Sequence, residues 1–188
     1  MLFRSEEAGV WRCAEVILSQ SLGYGTYCFE TQGLDLPDPW MVVGGFLWDS
    51  CTPPLYREMD IEYSRWGNEA DACTSQYVVQ PCGSCTGCGL ECSEHCQRFN
   101  VEPVDASSNL THYVIWQLDS VTFETYRGQH CGETAPPADL LQQWTAPASV
   151  VVPTPGVENF RLNLWLLQGH APAQGHCIVI TDFDFLGP

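Results

Sequence analysis

Three acidic residues, Glu58, Asp60 and Glu62, alternate with the apolar residues Met59 and Ile61 in one short segment. Because a β-strand has a side-chain period of two, the three carboxyl groups share one face and the apolar residues share the other. Retaining glycosidases use two carboxyl groups about 5–5.5 Å apart, one as nucleophile and one as acid/base. The pattern therefore predicts that Glu58 and Glu62 act as such a pair, with Asp60 setting its protonation.

Two other interpretations of the three acids stay open on the pattern alone: a solvated strand face and a calcium site. Alternate Cα atoms of a strand are ~6.6 Å apart, which separates Glu58 from Glu62 by ~13 Å at the backbone. The catalytic interpretation requires the two side chains to lean toward each other, which strand curvature and the length of glutamate allow. Pooling the acids in a low-dielectric groove would raise at least one pKa.

Strand signals dominate the rest of the chain, and turns rich in Gly and Pro separate them. The runs on either side of Gly23 predict a hairpin, and those around Asp119-Ser120 predict another. The one helical candidate is 137–144. The predicted strands are 11–19, 24–31, 41–48, 58–63, 75–80, 112–118, 121–127, 160–166 and 177–185. This pattern predicts one all-β domain over residues 1–188, built as a sandwich or jelly roll.

The composition excludes several classes of partner. Asp and Glu number 23 against 7 Lys and Arg, which gives a formal net charge of −16. Such a surface repels phosphate backbones and anionic lipids, so neither nucleic acid nor a membrane surface is an expected partner. No apolar run approaches the ~18 residues of a membrane-spanning helix, so no membrane insertion is expected. Seven Trp suit core packing or contact with sugar rings.

Eleven cysteines in 188 residues indicate an oxidising compartment. The N-terminal residues lack the apolar run of a signal peptide, so we expect a secreted or extracellular protein whose signal segment is not present in this chain. A compositional break at 81–96 marks an insertion that contains five cysteines, namely Cys82, Cys85, Cys88, Cys92 and Cys96. Their spacing suits zinc or an iron–sulfur cluster, but six further cysteines spread through the chain favour disulfides. We therefore predict no catalytic metal site.

The segment Glu58-Met59-Asp60-Ile61-Glu62 resembles the E-[IL]-D-x-E signature of glycoside hydrolase family 16, which includes lichenases, laminarinases and xyloglucan transglycosylases. Further segments resemble strands of the same family. They are Cys13-Ala14-Glu15, Gly23-Tyr24-Gly25-Thr26-Tyr27, Val43-Gly44-Gly45-Phe46-Leu47-Trp48, Thr111-His112-Tyr113-Val114-Ile115-Trp116, Val121-Thr122-Phe123 and Asn163-Leu164-Trp165. The resemblance covers roughly residues 3–186, apart from the Cys-rich insertion.

This resemblance implies a concanavalin A-like jelly roll of two curved antiparallel sheets with the substrate along the concave face. It implies that Glu58 is the nucleophile, Glu62 the general acid/base and Asp60 the assisting acid. The residues that it places along the cleft are Glu15, Gln80, Asn163 and Trp165. Trp165 could stack on a sugar ring or pack in the core, and Trp48 could belong to the core or the groove floor. Trp66 and Arg65 could shape one end of the cleft.

Family members begin some tens of residues earlier, so we expect that N-terminal strands are missing here and that Cys13 has its family partner among them. The resulting prediction is a monomeric retaining hydrolase that cleaves internal β-linkages of a glucan-type polysaccharide. It needs no cofactor, and a structural calcium ion stays open. Three alternatives stay open: an inactive carbohydrate-binding module of the same fold, a transglycosylase, and a structural or metal-dependent extracellular protein built on the Cys-rich loop.

Overall fold

Strands account for about half of the described backbone. The computed structural model describes residues 6–7, 10–34, 38–49, 57–81, 91–101, 107–172 and 175–188. Within these residues the strands are β1 (Glu6–Glu7), β2 (Val10–Trp11), β3 (Ala14–Ile17), β4 (Gly25–Gln32), β5 (Met41–Trp48), β6 (Met59–Tyr63), β7 (Ser75–Val79), β8 (Glu91–Ser93), β9 (Cys96–Phe99), β10 (Asn109–Trp116), β11 (Val121–Arg127), β12 (Leu140–Thr145), β13 (Asn159–Leu166) and β14 (Val179–Leu186). Two single 3-10 turns, Pro137–Asp139 and Leu167–Gly169, complete the regular structure of this part of the chain.

Two antiparallel sheets form the body of the fold. The seven-stranded sheet has the order β3-β13-β5-β6-β7-β9-β8, and the five-stranded sheet has the order β12-β11-β10-β4-β14. Strands β1 and β2 pair only with each other. The predicted all-β sandwich of two antiparallel sheets is therefore confirmed.

Strand β6 lies in the middle of the larger sheet, and its alternate residues point in opposite directions. Met59 and Ile61 are completely buried in the core between the sheets. Gly45 lies directly opposite Ile61 on β5, and a Cβ atom there would collide with the ring of Phe29 from the other sheet. The absence of a side chain at Gly45 thus lets the two sheets approach over β6. The predicted inward orientation of Met59 and Ile61 is confirmed.

The hairpin predicted around Gly23 is wrong. Strand β3 pairs with β13 at the edge of the larger sheet, whereas β4 pairs with β10 and β14 in the smaller one. The segment between them therefore crosses from one sheet to the other, and local turn signals do not distinguish such a crossing from a hairpin. The hairpin at Asp119-Ser120 is confirmed, because Trp116 pairs with Val121.

The helix predicted over 137–144 is also wrong. Only Pro137–Asp139 forms a helical turn, and the residues after it form β12, which pairs with β11 at the edge of the smaller sheet. The ring of Trp144 is buried and stacks on that of Phe123, with the centroids 5.7 Å apart. This packing onto the sheet overrides the helical propensity of Leu140 and Leu141.

Disulfides account for four of the cysteines that the structure describes. Cys28 on β4 is bonded to Cys131, and Cys73 and Cys96 are also disulfide-bonded. Cys13 and Cys177 are exposed free thiols, so the pairing expected for Cys13 stays a prediction. The remaining cysteine side chains, those of Cys51, Cys82, Cys85, Cys88 and Cys92, lie outside the described residues. Across the described ranges, no helix has the length and apolar character required to cross a membrane.

We predict that Ile61→Ala lowers the free energy of unfolding by about 2–5 kcal/mol, because it leaves a cavity between the sheets. Leu118→Ala is the matched control, since Leu118 is 77% exposed, and we expect it to change stability by less than about 0.5 kcal/mol. Urea unfolding of both variants measures the difference. Equal effects of the two substitutions would contradict the inward orientation of Ile61.

Candidate active site

A single row of residues crosses the face of the larger sheet that carries the three acids. Each member lies directly opposite the next on the neighbouring strand. In order, the members of this Glu62 row are Glu15 (β3), Asn163 (β13), Gly44 (β5), Glu62 (β6), Gln76 (β7) and Arg98 (β9). The register of five strand pairs therefore decides which groups surround Glu62.

A cavity of about 350 Å³ opens on this face, which is within the usual size range of small-molecule sites. It contains six of the seven site residues predicted from the sequence. The lining residues are Glu15, Gly44, Phe46, Trp48, Glu58, Asp60, Glu62, Arg161, Asn163 and Trp165. Strand alternation thus presents all three acids to one cavity, and the roles assigned to them stay predictions.

Gln80 does not line this cavity. Its backbone N–H donates to the carbonyl oxygen of Glu58 at 3.0 Å, which places it beside Glu58 at the end of β7. Its predicted contact with substrate stays a prediction.

Glu62 accepts a hydrogen bond from the neighbouring strand, and that donor is itself hydrogen-bonded to a residue two strands from Glu62. The amide Nε2 of Gln76 donates to Oε2 of Glu62 at 2.6 Å, and a guanidinium nitrogen of Arg98 donates to Oε1 of Gln76 at 3.0 Å. On the opposite side, Gly44 has no side chain and lines the cavity, and a Cβ atom there would lie 3.0 Å from Oδ1 of Asn163. One flank of Glu62 is therefore held by Gln76, and the other borders the cavity.

The two glutamates compete for one proton. Burial raises the pKa of Glu62 to about 7, although the hydrogen bond from Gln76 and the positive charge of Arg98 act in the opposite direction. Burial and the negative charge of Glu62 raise the pKa of Glu58 to about 7. Two interacting carboxyl groups titrate as a unit, so near neutrality the pair holds one proton between its members. A charged and a protonated carboxyl group are the two partners that glycoside cleavage needs.

Glu15 belongs to an anchored cluster at the edge of the cavity. Arg161 donates to its Oε1 at 3.1 Å, and Nδ2 of Asn163 donates to its Oε2 at 3.2 Å. Oδ1 of Asn163 is buried and accepts no hydrogen bond from the protein. That oxygen is consequently a buried acceptor without a hydrogen-bond partner in the protein.

Aromatic residues border the cavity on two sides. Trp165 lines it while remaining half-buried, and its ring meets that of Trp66 edge to face with the centroids 6.1 Å apart. Trp48 and Phe46 line it as well, so Trp48 belongs to the groove floor rather than the core. Exposed aromatic faces are suitable platforms for the apolar faces of sugar rings.

Four residues of this site escaped the sequence analysis: Phe46, Gln76, Arg98 and Arg161. Arg161 and Phe46 could have been found by alternation, since they lie two positions from Asn163 and Gly44 on the same strands. Arg98 lies just after the Cys-rich insertion, where the sequence gives no strand signal. None of the His, Cys, Asp and Glu side chains in the described ranges forms a group of three that could hold a metal ion. The structural calcium ion allowed by the sequence stays a prediction.

Solved structures with the same fold are similar to this chain throughout its length. A Bacillus licheniformis beta-glucanase has a TM-score of 0.66 and 18% identity, over 100% of this chain and 78% of its own. A prokaryotic beta-1,3-1,4-glucanase (lichenase) from a mouse hindgut metagenome has a TM-score of 0.63 and 13% identity, and the match covers 98% of this chain and 78% of the glucanase chain. A Bacteroides ovatus GH16 protein from a mixed linkage glucan PUL, in complex with a G4G4G3G product, has a TM-score of 0.61 and 11% identity. The match covers 98% of this chain and 80% of the GH16 chain.

These likenesses show that the chain has a jelly-roll fold like that of the glycoside hydrolase family 16 glucanases. At 11–18% identity they show the fold alone. No protein-family model matches the sequence, and no curated protein matches it either.

The shared proton has a consequence for stability. The pKa of Glu62 is raised from 4.5 in the unfolded chain to about 7, so the folded protein binds a proton that the unfolded chain has lost. This contribution to stability is fully present below pH 4.5 and is lost as the pH rises through about 7. We predict that Glu62→Gln is about 1–3 kcal/mol more stable than the unmodified chain at pH 8, with a smaller difference at pH 5.

Urea unfolding at both pH values measures this change. Glu69→Gln is the control because it removes the same charge from an exposed position. If stability falls by the same amount between pH 5 and pH 8 in all three proteins, Glu62 does not share a proton with Glu58.

Proposed function

We propose that this chain is a retaining glycoside hydrolase that cleaves internal β-linkages of a glucan-type polysaccharide. The observation that carries the proposal is the placement of Glu58, just before β6, and Glu62, on β6, in one cavity, with both pKa values raised to about 7. Neither a solvated strand face nor a purely structural cluster accounts for two carboxyl groups half-buried together at this cost.

Glu58 acts as the nucleophile. Its carboxylate attacks the anomeric carbon while Glu62 gives its proton to the departing glycosidic oxygen, which leaves a glycosyl ester on Glu58. Glu62, now charged, then takes a proton from a water molecule. The water oxygen bonds to the anomeric carbon, and the Glu58 carboxylate is released. Asp60, between the two in the sequence, assists by setting the protonation of the pair.

An extended neutral substrate suits the cavity. Its lining residues come from four adjacent strands, β3, β13, β5 and β6, and so extend over ~14 Å at ~4.8 Å per strand. The acidic lining and the net charge of −16 disfavour anionic polymers. Trp165 and Trp48 offer platforms for sugar rings, and similar folds carry the names beta-glucanase and lichenase. Together these features favour a β-glucan.

The proposal also includes where the protein acts and which alternatives to hydrolysis the site allows. Disulfides persist in oxidising compartments, so we propose that the protein acts outside the cell as a monomer. A sugar hydroxyl could replace water in the second step, which would make the protein a transglycosylase. The same fold without turnover would make it a carbohydrate-binding module.

We predict that the purified protein releases reducing ends from a mixed-linkage β-glucan with retention of anomeric configuration. Proton NMR of the first products shows the configuration. Glu62→Gln should lower kcat by ~10²–10⁴-fold, because general acid catalysis contributes that much. Glu58→Gln should remove the activity altogether, since an amide cannot form the glycosyl ester.

Glu133→Gln, at an exposed position, is the matched control and should leave the activity unchanged. Products longer than the substrate would identify a transglycosylase. Binding of glucan without release of reducing ends would identify a binding module, and full activity of Glu58→Gln would show that the assignment of Glu58 is wrong.

A further inference from the structure

We propose that Arg98 is a positioning residue that, through Gln76, decides which oxygen of Glu62 carries the catalytic proton. This inference rests on the proposed function, because it assigns the machinery behind the acid/base. Arg98 lies on β9, two strands from Glu62, and does not line the cavity.

Arg98 is almost completely buried, with 1% of its surface exposed. Its guanidinium nitrogens donate to Oε1 of Gln76 at 3.0 Å, to Oδ2 of Asp71 at 2.7 Å and to the carbonyl oxygen of Cys73 at 3.0 Å. Burying such an ion pair is seldom more stabilising than an apolar packing of the same volume. Stability alone therefore does not explain why this position holds an arginine.

The hydrogen-bond chemistry of the three side chains allows one arrangement. Arginine has donors only, so the oxygen of the Gln76 amide must face Arg98. The NH₂ group of Gln76 must then face Glu62, where it donates to Oε2 at 2.6 Å. Oε2 is consequently held as an acceptor. When Glu62 is protonated, its proton sits on Oε1, which Gln76 does not hold.

Without Arg98 this selection is lost. The Gln76 amide could rotate by half a turn and present its oxygen to Glu62, which would draw the proton onto Oε2 and away from the substrate. The positive charge of Arg98 also stabilises the ionised form of Glu62, which appears in the second half of the reaction. The other charged groups of the cavity and of the Arg98 cluster are Glu58 just before β6, Asp60 on β6, Glu15 on β3, Arg161 on β13 and Asp71 before β7. Of all these groups, Arg98 is the one that is linked to Glu62 by way of Gln76, through two hydrogen bonds.

The kinetic test compares two substrates in Arg98→Met and in Gln76→Met. A mixed-linkage β-glucan has a poor leaving group that needs the proton from Glu62. The dinitrophenolate group of a dinitrophenyl β-oligoglucoside departs without being protonated. We expect kcat on the glucan to fall ~10–100-fold in both variants, because both lose part of the rate that general acid catalysis contributes. We expect little change in kcat on the dinitrophenyl substrate. Arg98→Lys, which keeps the charge and one donor, should recover part of the loss.

Asp71→Asn is the matched control, because it alters the other side of Arg98 and leaves the contact with Gln76 in place. If Arg98→Met fails to fold, Gln76→Met is tested by itself, because it removes the amide on β7 that links Arg98 to Glu62. An equal fall in kcat on both substrates would overturn the proposal, because a general disturbance of the site slows both reactions alike.

A second readout needs no substrate. Carbon-13 NMR of labelled glutamate, assigned with Glu58→Gln and Glu62→Gln, follows the titration of Glu62. We expect its midpoint to move upward in Arg98→Met and Gln76→Met and to stay in place in Asp71→Asn. An unmoved midpoint in the first two variants would overturn the proposal. A moved midpoint in a protein that hydrolyses neither substrate would support the role of Arg98 and refute the proposed glycosidase.

Discussion

The alternation of side chains along β6 is the constraint on which the rest of the structure depends. Met59 and Ile61 are completely buried in the core, so the residues between and beside them must face the opposite way. A register slip of one position would expose the apolar pair and bury the acids. The free energy of core packing thus holds three carboxyl groups, those of Glu58, Asp60 and Glu62, in one cavity, although their charged forms repel one another.

Confinement of these carboxyl groups gives the site its chemistry. Burial and mutual repulsion raise the pKa values of Glu58 and Glu62 together, so that a proton is retained at a pH where an exposed glutamate has lost it. The surroundings are not symmetric: Glu62 accepts a hydrogen bond from Gln76 on one neighbouring strand, whereas Gly44 on the other neighbouring strand lines the cavity. In the proposed mechanism this asymmetry distinguishes the carboxyl group that carries the proton from the one that acts as nucleophile.

Sequence reasoning succeeded where a pattern repeats within one element and failed where partners come from distant elements. The orientation of β6 followed from five residues, and the resemblance correctly brought Asn163 and Trp165 to the same cavity. The false hairpin at Gly23 and the false helix at 137–144 arose because pairing with β13 or β11 is decided by tertiary packing rather than local propensity. Arg98 could not be predicted, because its relation to Glu62 exists only through the register of three strands.

The most direct test of the central claim is to trap the glycosyl ester with a fluorinated dinitrophenyl oligoglucoside, in which fluorine at carbon 2 slows the second step. Mass spectrometry of the digested protein locates the label. We expect one glycosyl group per chain, on the peptide that contains Glu58 and attached to that residue. A label on a different residue, or consumption of the reagent with inverted products and no label, would contradict it.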